Sequence, residues 1–155
     1  MPENLLYKTA LAKAMAICSR REQCSSDVSK KLQTWGVGFE DEKKILITLT
    51  KENFINEERY AKAFVKDKFN QNKWGKVKIK AHLKVKNIPG IIIGTAVAEI
   101  DDAEYLDVLN NLISSHRKTI KAKNIYDLKG KLLRYGLSKG FESSLLYDLL
   151  NDYED

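Results

Sequence analysis

Only two cysteines and two histidines occur among the 155 residues, and no Cys/His cluster has metal-ligand spacing. That argues against a zinc module or a disulfide framework; Cys18 and Cys24 are expected as free thiols, Cys18 as a small core residue. No apolar run approaches the roughly 20 residues that a membrane helix needs. The start MPENLLYKTA has neither the basic flank nor the apolar centre of a signal peptide, so the expected location is cytoplasmic. Eight glycines form no phosphate loop, because Gly36-Val37-Gly38 does not continue to a third glycine and nothing matches the Walker pattern. Ser114-Ser115-His116 reads as a polar run at a helix end rather than a catalytic pair. His82 lies among lysines and reads as a surface residue. Asp101, Asp102 and Glu104 read as a helix start rather than a metal site. No enzyme activity, cofactor or metal is expected.

Acid is also scarce locally. From Arg59 to Lys86 there are ten bases and a single acid, Asp67, more net positive charge than the +6 of the whole chain. Residues 1–58 balance, 87–116 carry five acids and no base, 117–139 carry eight bases with only Asp127, and 140–155 carry five acids and no base. A field of one sign held on ordered elements suits a polyanion or an acidic protein surface; the competing reading is a solvated lysine-rich face.

Alternating charge blocks accompany an internal repeat. Shifted by 51 residues, Val28, Leu32, Gly36, Val37, Ile45 and Leu49 fall on Ile79, Leu83, Asn87, Ile88, Ala96 and Ile100. A further shift of 49 brings them to Leu128, Leu132, Gly136, Leu137, Leu145 and Leu149. The common pattern is an apolar i, i+4 pair, a Gly or Asn suited to a left-handed helix end, an aliphatic residue and a second apolar stripe. Each block reads as helix, tight turn, helix, preceded by a leading helix near 5–19, 57–71 or 102–115. Three three-helix modules are expected, at 1–53, 54–100 (strongly basic) and 101–155.

Local pattern opposes this at one place. KVKIKAHLKVK (Lys76–Lys86) alternates apolar residues and lysine with period two, as a half-buried strand does, and the turn at Asn87-Ile88-Pro89-Gly90 would close a hairpin. The equivalent segments DVSKKLQTW and DLKGKLLRY are helical in composition, and an isolated hairpin is poorly stable, so helix is the expectation. Asn56 is a good N-cap, with Glu57 and Glu58 in the first turn. Tyr60, Phe64 and Val65 form the inward stripe of that helix, and Arg59, Lys62 and Lys66 its outward cationic row. Trp74 and Tyr135 lie in basic segments, where an exposed ring can stack on a base. Trp35 and Tyr135 precede glycines of the repeat and read as packing residues.

The segment Phe54-Ile55-Asn56-Glu57-Glu58-Arg59-Tyr60-Ala61-x-Ala63-Phe64-Val65 resembles the central signature of the RecX family, bacterial regulators of the RecA recombinase. Gly75-x-x-x-Ile79-x-x-x-Leu83 with Asn87-Ile88, Leu132-Leu133-Arg134-Tyr135-Gly136-Leu137 and the Leu145–Leu150 helix extend the likeness over most of the chain. Three departures stand out. Asn53 replaces the glycine usual before the central aromatic, Lys76 replaces a proline common after the Gly75 position, and Pro89–Gly94 is apolar where an acidic helix start is typical.

The resemblance implies an all-α, elongated, curved array of three tandem three-helix, helix-turn-helix-like repeats. Such proteins lie in the groove of the RecA–DNA filament and damp ATP hydrolysis, strand exchange and co-protease activity. A curved repeat array also supplies a long concave surface on physical grounds alone. The implied partners are the RecA filament and single- and double-stranded DNA, with no membrane, and a monomer is expected. From charge asymmetry the candidate contacts are Arg59, Lys62, Lys66, Lys73, Lys76, Lys80 and Lys84, followed by Arg117, Lys121, Lys129, Lys131 and Arg134. The alternative is a stand-alone DNA-binding protein acting without RecA. Sequence-specific readout favours Arg, Asn or Gln over the lysines that dominate here.

Overall fold

Nine helices follow one another in a computed structural model that describes residues 2–153, and no strand occurs among them. They are α1 (Pro2–Arg20), α2 (Ser25–Thr34), α3 (Phe39–Lys51), α4 (Glu57–Asn70), α5 (Lys76–Val85), α6 (Gly90–Val97), α7 (Asp102–Arg117), α8 (Ile125–Ser138) and α9 (Ser143–Asn151). The lysine-alternating segment is helix α5, and the β-branched run after it is helix α6. Helical periodicity set by neighbours overrides local strand propensity here. Side-chain caps start several helices: Asn56 accepts from the Arg59 N–H at 2.9 Å, Asp101 from Glu104 at 2.9 Å and Asn124 from Asp127 at 2.9 Å.

Three middle helices end in the same way. Gly36, Asn87 and Gly140 adopt φ of 83°, 61° and 93°. At each, the next residue's N–H reaches back to a carbonyl five residues earlier: Val37 to Leu32 (3.0 Å), Ile88 to Leu83 (3.2 Å) and Phe141 to Gly136 (3.1 Å). This Schellman arrangement buries the residue after the turn, so Val37, Ile88 and Phe141 all enter the core. Asn53 closes α3 similarly, at φ 64° with Phe54 N–H bonded to Leu49 O at 2.8 Å. Asparagine tolerates the left-handed region best after glycine, which accounts for it at that position.

The third repeat corrects the sequence register. Its turn lies at Gly140 and not at Gly136, because α8 has 14 residues against 10 in α2 and α5. One added turn keeps Leu132 and Gly136 on the buried stripe, so an alignment by apolar positions stops one turn short. Gly136 is buried inside α8, where an added Cβ would collide with the Leu146 side chain. Leu137 is exposed, and α9 buries Leu146 and Leu150 rather than Leu145 and Leu149.

Two compact units divide the chain, one of Met1–Phe64 with Leu83–Ile93, the other of Val65–His82 with Gly94–Asp155. In the first, α1, α2 and α3 pack on one another around Ala10, Ala14, Cys18, Val28, Leu32, Ile45, Leu49 and Ile55. Both cysteines are free and buried, and burial raises both thiols, so neither is an activated nucleophile. In the second, α8 packs on α7 and α9. Tyr105 lies between Phe69 and Phe141, with ring centroids 5.9 and 5.1 Å away.

Candidate nucleic-acid and protein interface on the basic helices

Lysines at the start of α5 face an electrostatic difficulty, since a helix N-terminus carries partial positive charge and α5 has no acid in its first turn. The second unit resolves it with backbone. The Gly75 N–H donates to Lys139 O at 2.7 Å and the Val77 N–H to Gly140 O at 2.9 Å, so the carbonyl-rich end of α8 caps α5. Between them the Lys76 N–H donates to the Tyr105 hydroxyl at 2.8 Å, which in turn donates to Glu142. A proline at 76 has no N–H to offer Tyr105; lysine there supplies one. Burial, then the bond to Glu142, pushes the Tyr105 hydroxyl pKa far up, so it stays a neutral donor.

The candidate cations differ in their exposure and in what they touch. Arg59 turns inward: its Nε donates to Glu22, and Nη2 to Asn53 O and Phe54 O at 3.1 and 3.3 Å. It staples the segment before α4. Lys76 lies 4.5 Å over the Tyr105 ring and 3.6 Å from Asp102. Lys62 and Lys66, one turn apart on α4, are exposed, as are Lys80 and Lys84, one turn apart on α5, and Lys73 before it. Among the later candidates Arg117 covers the Tyr153 ring at 4.7 Å, and Lys131 bonds Lys121 O at 2.6 Å and Asp127 at 3.2 Å. The Lys123 N–H and then Lys131 hold the half-buried Asp127 carboxyl below its usual range. Lys129 is half-buried, while Lys121 and Arg134 are exposed.

Two features escaped the sequence reading. Trp74 is the hub of a cationic cluster, with Lys68 and Lys78 at 5.1 and 4.6 Å from its ring and the His82 ring tilted at 47° to it with centroids 4.6 Å apart. The signal was available, since Lys, Trp and His recur at helical spacing, but the strand-like alternation obscured it. Tyr126 is 83% exposed at the start of α8, inside the second basic block. Tyr135, by contrast, packs: His116 stacks on it at 3.7 Å, and Ser114-Ser115-His116 lies near the end of α7. Among the described residues no group of three His, Cys, Asp or Glu is gathered as for a metal, and no helix is long and apolar enough to cross a membrane.

A family model described as "RecX, second three-helix domain" matches residues 56–97, the span from the α4 cap to the end of α6. The regulatory protein RecX of Lactococcus lactis subsp. lactis (strain IL1403) is 30% identical over 135 residues, covering 85% of this chain and 50% of that protein. That of Clostridium beijerinckii is 31% identical over 134 residues, covering 85% of this chain and 62% of that protein. The chain belongs to the RecX family. It spans between 50% and 62% of the length of those two relatives. The crystal structure of RecX from Lactobacillus salivarius has the same helical-repeat fold, with a TM-score of 0.79 at 19% identity over 95% of this chain and 96% of that one. A second RecX crystal structure gives 0.85 at 22%, over 96% and 74%.

Proposed function

We propose that this chain is a non-enzymatic modulator of RecA, binding the RecA–DNA filament through the lysine rows of α4 and α5. The third repeat's basic segment is its secondary contact. The observation that carries this reading is the exposure of Lys62, Lys66, Lys73, Lys80 and Lys84 on ordered helices within a stretch that has one acid. Lysine point charges suit phosphates and acidic surfaces more than base edges. Membership of a family of regulatory proteins supports the same reading. On it, the modules are 1–53, 54–100 and 101–155, the action is cytoplasmic, and its effect is to damp ATP hydrolysis, strand exchange and co-protease activity.

The test is to titrate the purified chain into RecA on single-stranded DNA, follow ATP hydrolysis, and measure DNA binding by the chain alone in parallel. Suppression at protein levels well below RecA, lost in Lys62→Glu/Lys66→Glu/Lys73→Glu, is the expected result. Intact suppression by that triple variant would show the proposed face to be wrong. Tight DNA binding with a log–log salt slope near about −5, as for roughly six phosphate contacts, and no effect on hydrolysis would establish the stand-alone DNA-binding reading instead.

A further inference from the structure

A polar cleft in the first unit, remote in sequence from α5 and α8, has charge left over. It has a volume of about 440 Å³ and lies where the α1–α2 connection and α2 meet Tyr60 of α4. Two acids and three bases line it. Both acids are already paired, Glu22 with Arg59 and Asp27 with Lys86 at 2.7 and 2.9 Å. The three bases, Arg21, Lys30 and Lys31, have no ion-pair partner among the described residues and are exposed at the rim. The unspent charge of the cleft is therefore cationic, which fits an anion.

Two further groups require more than an anion. Gln23 lines the same cleft, is 7% exposed, and its carboxamide has no hydrogen-bond partner among the described residues. A carboxamide presents a donor and an acceptor side by side, the complement of a nucleobase edge. Beside it, Glu22 Oε2 is buried and accepts no hydrogen bond. Leaving Glu22 Oε2 unsatisfied costs about 1–3 kcal/mol, so a ligand that brings an N–H donor recovers that cost. Inorganic phosphate has no N–H to give Gln23 or Glu22, whereas an amino-bearing base does. The volume falls within the roughly 300–1,000 Å³ of small-ligand sites.

We propose that this cleft binds a single nucleotide, its phosphate held by Arg21, Lys30 and Lys31 and its base edge read by Gln23 and Glu22. The nucleotide is either free or one residue of a strand, since both present the same chemistry. None of its lining residues belongs to the lysine rows, and it stands or falls independently of the RecA reading.

The experiment is calorimetric titration of the full chain with dAMP, dGMP, inorganic phosphate and a short single-stranded oligonucleotide. Parallel titrations use Lys30→Ala/Lys31→Ala, Gln23→Met and, as a control on the other surface, Lys66→Glu/Lys80→Glu. The expected result is one site per chain for a mononucleotide. Its affinity falls about tenfold or more in the first two variants and is unchanged in the control. Lys30 and Lys31 are exposed, so the double variant keeps its fold; a melting curve checks Gln23→Met, and if that variant is unfolded the lysine pair alone decides. If only the oligonucleotide binds, and loses affinity in the lysine pair but not in the control, the proposal holds with the strand as source. Phosphate binding as tightly as the mononucleotide overturns it, as does no binding of any ligand. Oligonucleotide binding lost only in the control variant also overturns it.

Discussion

Gly36 and Gly140 close the same turn in two units, yet their surroundings differ. At Gly36 an added Cβ would meet nothing within 4 Å; at Gly140 it would overlap the Cβ and backbone of Lys78. Gly75 is equally tight, since a Cβ there would overlap the Gly140 carbonyl. Position in the repeat demands a left-handed residue in both units, but only the second adds a steric demand. The difference follows from what each unit does with the carbonyls that a helix end leaves over. In the second unit two of them cap a lysine-bearing helix, which needs backbone against backbone and therefore glycine on both sides. In the first, the start of α2 is met by a side chain: the Ser25 N–H donates to Glu57 at 3.0 Å, while burial pushes the Tyr60 hydroxyl pKa far up.

Substitutions sharpen this contrast. The largest effect is expected for Gly140→Ala, where left-handed strain adds to overlap with Lys78; about 3 kcal/mol or more should be lost in urea denaturation. Gly36→Ala carries the strain alone and should lose about 1–2 kcal/mol. Equal losses at the two glycines would show that the close approach at Gly140 contributes nothing. Between them falls Tyr105→Phe, which leaves the Lys76 N–H without its acceptor and should cost about 1–3 kcal/mol. Tyr60→Phe leaves no backbone donor behind and should cost less; a reversed order would contradict the account of the two junctions.

The smallest effect separates the junctions by pH. Burial raises the Glu57 carboxyl above its ordinary range, partly opposed by the Ser25 N–H. A carboxyl raised on folding contributes stability that is complete below its unfolded pKa and is lost as pH rises through its folded one. Glu57→Gln removes that loss, so the wild-type melting temperature should fall relative to the variant as pH climbs from about 4 to 7. The Tyr105 hydroxyl itself remains neutral across the same window, so any pH dependence of the Tyr105→Phe difference comes from its acceptor Glu142 and not from the phenol. A level Glu57→Gln difference would remove burial as the cause.

Much of this architecture is written in periodicity. Apolar stripes, the caps at Asn56 and Asp101, and the turns at Gly36 and Asn87 are local signals, and local signals survive without knowledge of neighbours. The end of α8 is not local in that sense. Gly136-Leu137 imitates a helix terminus, and only the Leu146 side chain pressing on Gly136 reveals that glycine is there for space. The interface candidates divide along the same line. Spacing correctly put Lys62 and Lys66 on an exposed face of α4, but placed Arg59 with them, although Glu22, 37 residues away, draws it inward. Charge counting registers how many cations a segment carries, and cannot register which of them a distant carboxylate or ring has already taken.

The cluster around Trp74 has an optical consequence. An indole with Lys68 and Lys78 near its ring senses any change in their positions. A phosphate or carboxylate that draws either ammonium away removes a cation from the ring and shifts its emission. Trp35, the other tryptophan, sits beside Lys13 in the other unit. With Trp35 replaced by phenylalanine, the chain carries a single tryptophan, beside its basic helices, and occupancy there can be read from indole emission without a label.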